Sequence, residues 1–193
     1  MDNSVLLKEL ISNPNSWYEK SIDLYRFTYK LRYEIQNIWL EVGNGDHTRL
    51  QPKYFYITYM LLAFCLENLL KGLIAEKRNW QTTPFVGKFP TELDSHDLRT
   101  LMNNYDSGLY PNLINECKYE FLDEFIDTLS SCSIWMGRYN LPKTDKELSY
   151  IKTISGKEIN IGEHGSNDMI YFNVIYGYLA SLSKSELFKG ISS

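Results

Sequence analysis

The chain has 193 residues, 44% hydrophobic and 15% aromatic with 15 tyrosines, which is the composition of a folded, tightly packed domain rather than a disordered one. A net charge of −4 gives no global attraction to nucleic acid, so a phosphate site would have to be a local patch. Cys65, Cys117 and Cys132 stand far apart with no CxxC or histidine spacing, so they read as reduced core thiols of a cytosolic protein.

The N-terminus, MDNSVLLKEL, lacks the basic start and long apolar run of a signal peptide. Residues 4–11 predict a short helix closed by the Asn13-Pro14-Asn15 turn, and residues 1–15 read as an N-terminal extension. Ser16 is an N-cap candidate for a long helix to about Val42. Its apolar positions Leu24, Phe27, Leu31, Ile35, Ile38 and Val42 make one stripe, and Tyr18, Tyr25, Tyr29 and Tyr33 make a second beside it. Together they predict a wide buried face. Gly43-Asn44-Gly45-Asp46 should stop this helix.

Residues 54–75, YFYITYMLLAFCLENLLKGLIA, carry the organising prediction. No charge appears from Tyr54 to Leu66, and apolar residues fall on every side of a helical wheel, as in a helix lying inside a protein. The run is too long for a strand, and Glu67 and Lys71 cut it short of a membrane span. Those two stand four apart in the favourable order. The helix should end near Arg78, before a loop with Pro84, Gly87 and Pro90.

Asp94 or Ser95 is then expected to cap a short helix, HDLRTLMNNY. Residues 112–139 predict one long helix, with Ile114, Cys117, Phe121, Phe125, Leu129, Cys132 and Met136 in a stripe. Residues 143–163 are a polar insertion. Within 146–162, YIKTI–SG–KEINI suggests a β-hairpin with a two-residue turn at Ser155-Gly156. A last helix should run over 167–188 with Ile170, Val174, Tyr178 and Leu182 inward. Short connections between four or five substantial helices predict a single all-α, up-and-down helical bundle over 1–193.

Three stretches, CLENLLKGLIAEK, SHDLRTLM and WMGRYNLP, resemble in type and order those of the HEPN domains, a family of small helical bundles often found beside nucleotidyltransferases. The resemblance covers roughly residues 50–190. It implies an all-α homodimer of defence or toxin–antitoxin systems, with a nucleotidyltransferase, RNA or a nucleotide as further candidate partners. Many HEPN domains are metal-independent RNases that use an Arg, four to six intervening residues and a His near the start of the last helix. There a guanidinium would hold the scissile phosphate and an imidazole would move protons.

Here the histidines are His47, His96 and His164, and none has an Arg at that distance upstream. The nearest match is Lys157, with six residues intervening before His164, and lysine lacks the bidentate fork. The sequence therefore predicts a non-catalytic binding and dimerisation module. The alternative is an RNase with a degenerate site built on His164 with Lys157 or Arg138. No HExxH, Walker A, dinucleotide loop or EF-hand occurs, so no metal or other cofactor is expected, and no membrane either.

Ligand- or partner-binding candidates are Glu67, Lys71, His96, Arg99, Arg138 and Tyr139. Glu67 and Lys71 form either a polar pocket between helices, with Arg138 reaching across, or an ion pair closing the edge of the core. His96 and Arg99 lie where a phosphate could meet a helix start, or His96 simply packs on the central helix. Arg138 and Tyr139 offer a phosphate contact and a stacking ring, or end a helix and pack.

Overall fold

Seven α-helices lie among residues 3–43, 51–82, 89–119, 121–136, 150–152, 156, 158–160 and 168–189, which the computed structural model describes. They are α1 (Asn3–Ser12), α2 (Pro14–Gly43), α3 (Gln51–Lys77), α4 (Leu98–Tyr105), α5 (Leu109–Cys117), α6 (Leu122–Met136) and α7 (Asp168–Ser181). Single 3-10 turns occur at Thr91–Leu93 and Glu186–Phe188. The protein is an all-α helical bundle.

Helix α3 is its axis. Over residues 62–75 only Phe64 escapes full burial, and α2, α4, α6 and α7 pack around that stretch. By length and composition Ile57–Lys77 is apolar enough to cross a membrane, but most of it is buried inside the bundle, as the central helix of a soluble protein is. The reason is chemical: a segment without a polar face has no side to give to water.

The longest packed pair is α2 on α3, and its phase differs from the expected one. Tyr18, Ser21, Ile22 and Thr28 are buried, with Tyr25 packed against them, so the core meets the Tyr18–Tyr25 side of the helix, while Tyr29 is exposed. Phe27, expected inward, is 56% exposed, about 160° round the helix from those residues. Gly72 explains the choice. A Cβ there would stand 2.3 Å from the Tyr18 ring, so the missing side chain is what lets that ring lie against α3. Tyr25 in turn stacks on Tyr176 of α7 with ring centroids 4.5 Å apart.

Other boundaries shift for local reasons. The single helix expected over 112–139 is two, α5 and α6, because Lys118 adopts a left-handed conformation (φ 50°) and caps α5. Phe121, assigned to the inner stripe, is exposed at that break. In α7 the buried residues are Phe172, Ile175, Tyr176 and Leu179, while Ile170 is exposed, so the inner face lies about 140° from the expected one. That helix is apolar nearly all round, and periodicity alone cannot choose its phase. It also ends at Ser181, short of Phe188.

Two three-residue strands, β1 (Tyr150–Lys152) and β2 (Glu158–Asn160), pair antiparallel within the polar insertion. Ile151 faces Ile159 and Lys152 faces Glu158. A two-residue turn at Ser155-Gly156 would instead pair Lys152 with Ile159. The register is therefore one residue away from the expected hairpin, with Gly156 at φ 85°, a conformation glycine adopts without strain.

Candidate functional site

Two helical turns of α3 and the loop before α4 bring three ionisable side chains together. Glu67 and Lys71 are buried in the bundle wall, and Lys71 Nζ donates to Glu67 Oε1 at 2.8 Å. The i, i+4 spacing makes this contact local to one helix, so the pair forms wherever α3 does. The second carboxylate oxygen, Oε2, lies 3.0 Å from Nδ1 of His96. The Trp17 ring of α2 covers the ammonium, 5.8 Å from its centroid, and is fixed by its own Nε1–H donating to the Ile11 carbonyl. The His96 side chain is 47% exposed, so the buried pair reaches solvent through one imidazole.

The backbone holds that imidazole in place. His96 precedes the helix rather than sitting in its first turn. The cap of α4 is Asp97, which accepts from the Arg99 N–H and the Thr100 hydroxyl, in place of the expected Asp94 or Ser95. The Ser133 hydroxyl of α6 donates to the His96 carbonyl, and the Ser130 hydroxyl accepts the Leu98 N–H. Both serines are buried, so they anchor the loop to the core. With Nδ1 turned to a carboxylate, Nε2 is the ring nitrogen left to accept or donate according to the tautomer, among the described residues.

Arg99 points away from this group. Its guanidinium donates to the carbonyl and carboxylate of Asp123, lies 3.9 Å from Asp127, and stacks over Tyr110 at 5.2 Å. The structure thus joins Glu67, Lys71 and His96 and commits Arg99 to the α4–α6 contact. Arg138, Tyr139, Lys157 and His164, with His47, lie outside the described residues.

Two further acids are positioned by tertiary packing. Asp168, the first residue of α7, is buried and accepts from the Tyr59 hydroxyl, and burial pushes its carboxyl up to about 7. Nothing in the sequence marks it, since an acid in a first helical turn is ordinary. Glu76, about two and a half turns beyond Glu67, accepts from the hydroxyls of Tyr18 and Ser183 and from the Lys184 N–H. Burial and that carboxylate hold the Tyr18 hydroxyl far above its usual pKa.

A cavity of about 350 Å³ opens beside Glu76, between Lys77, Tyr105 and Leu182. It is about 13 Å along α3 from Glu67 and does not reach His96. Two of its charged groups already have partners: Lys77 donates to Asp106 and the Tyr105 carbonyl, and Glu76 is tied by three donors. For chemistry the half-exposed His96 is the better candidate. Among the described residues no group of three or more His, Cys, Asp or Glu could hold a metal ion.

No family model, curated protein or solved structure matches the chain.

Proposed function

We propose that this chain is a HEPN-like helical module that dimerises and binds a protein partner, without catalysis of its own, in a cytoplasmic prokaryotic defence or toxin–antitoxin setting. The observation that carries the reading is the apolar surface left over once the core is full. Leu6, Leu7 and Leu10 on α1 and Phe27 on α2 are all 45% exposed or more although α3 already has neighbours on every side. Leu6, Leu7 and Leu10 fall on one side of α1, an exposed apolar strip of the kind that meets another surface.

The His96 group supports binding over cleavage. Of the cations nearest the imidazole among the described residues, Lys71 is buried on Glu67 and Arg99 is spent on Asp123, so neither is available to hold a phosphate. Asp94, two residues before His96, is exposed, and the Glu67 carboxylate lies behind the imidazole, a setting that favours a basic protein surface over nucleic acid. A nucleotidyltransferase encoded beside the gene is the partner the HEPN resemblance suggests.

The test has three parts. Light scattering at micromolar concentration should give a dimer. Incubation with single-stranded and transfer RNA should leave both intact. Co-expression with the product of the neighbouring gene should yield a complex weakened by His96→Ala. A strict monomer would overturn the dimer. RNA cleavage abolished by His164→Ala would replace the reading with the degenerate ribonuclease.

A further inference from the structure

We infer that a second copy of this chain packs on the outer face of α2, antiparallel and centred on Phe27. This rests on the dimer reading above and names the surface. Phe27, Leu24 and Leu31 share one side of α2, three and four residues apart. Phe27 is 56% exposed, on the side of the helix away from Tyr18 and Ser21, and Leu24 and Leu31 are half-buried at its edge.

The face is complementary to itself. A two-fold axis perpendicular to two packed helices brings opposite one another positions whose numbers add to a constant, and it sets each flank against the same flank. Centred on Phe27, the sum is about 54 by that rule. Phe27 then meets its own copy, Leu24 meets Leu31 of the other chain on one flank, and Asp23 meets Lys30 of the other chain on the opposite flank. The Leu24–Leu31 and Asp23–Lys30 pairings each occur twice, and the Phe27 pair sits once, on the axis. Asp23 and Lys30 are both exposed, and the contact Asp23 makes within its own helix, to Arg26 at 3.9 Å, is loose and solvated.

The length also fits. The stretch of α2 from 14 to 31 is about 27 Å long, and a ridge of that length and about 10 Å width supplies a few hundred Å² towards the roughly 800 Å² that each partner gives a stable dimer. A partner of different sequence would need its own matching order of acid, leucine, aromatic, base and leucine. The chain already carries that order in reverse.

The experiment uses the full chain and reads the dimer dissociation constant by sedimentation. Phe27→Asp should raise it at least about 100-fold, with helix content and melting temperature unchanged because the site is exposed. Asp23→Lys and Lys30→Asp should each raise it at least about 10-fold, and the double swap should restore it. Phe27→Cys should give a covalent dimer on mild oxidation. A wild-type dimer indifferent to all three changes, with Phe27→Cys left uncross-linked, would overturn this face while leaving dimerisation standing. A wild-type monomer would overturn both.

Discussion

Gly72 and Tyr18 show how one absent side chain fixes the phase of a 30-residue helix. A methyl group at position 72 would sit 2.3 Å from the Tyr18 ring, so Gly72→Ala must push the ring off α3 and loosen its bond to Glu76. The expected loss is about 1–3 kcal/mol in urea unfolding, and it should shrink when Tyr18 is already Leu. Glu67 and Lys71 pose a different residue-scale question. Lys71→Met leaves a buried carboxylate facing only His96 and should cost about 3 kcal/mol. Adding Glu67→Leu should recover most of it, since an apolar pair of similar volume is nearly neutral there.

Asp168 sets a pH dependence. In the folded chain it keeps its proton to about pH 7, whereas unfolded it loses it near pH 4. Between those values the folded state holds more protons, so the stability contributed by this group is full below about pH 4 and is lost as pH rises through 7. Asp168→Asn should therefore leave stability at pH 4 unchanged and raise it by about 2–4 kcal/mol at pH 8, measured by denaturant titration at both values.

At the scale of elements, what was legible followed from unambiguous pattern. Residues 54–75 admit one reading, because an uncharged run that long must be a buried helix, and α3 is that helix. Where a helix is apolar on several sides, as in α2 and α7, the sequence offers two equivalent faces. Only the partner surface decides between them: Gly72 for α2, and the Tyr25 ring for α7. The break after Cys117 was hidden because the i, i+3/i+4 stripe runs on through it, and a lysine gives no sign that it will turn left-handed. Lys118→Gly, relieving that conformation at a helix cap, should stabilise the protein by about 0.5–1 kcal/mol in thermal unfolding.

The whole molecule accounts for the three thiols. Cys65 and Cys132 are fully buried and pushed up to about 12, and Cys117 is half-buried and also raised. Native protein should thus expose at most Cys117 to a thiol reagent at pH 8, and all three should react once it is unfolded. The candidate site was legible only in pieces. Glu67, Lys71 and His96 each stand out by residue type and place, but the bond between Glu67 and His96 spans 29 positions, and no local periodicity encodes it. Trp17 and Ser133, which complete the setting, carry no signal at all outside the folded context.

Glu76 has a consequence for the order in which the chain is made. Its carboxylate receives Tyr18 from near the beginning and Ser183 and Lys184 from near the end, while Ser185 reaches Asn15 and the ring of Phe188 lies edge-on to that of Tyr18. While translation is still short of residue 183, the first of these partners is in hand and the others do not yet exist. The clasp closes only after residues 183–188 have left the ribosome, so locking of the bundle waits for that segment, and a chain truncated after residue 182 should be protease-sensitive around α2 where the 193-residue chain is not.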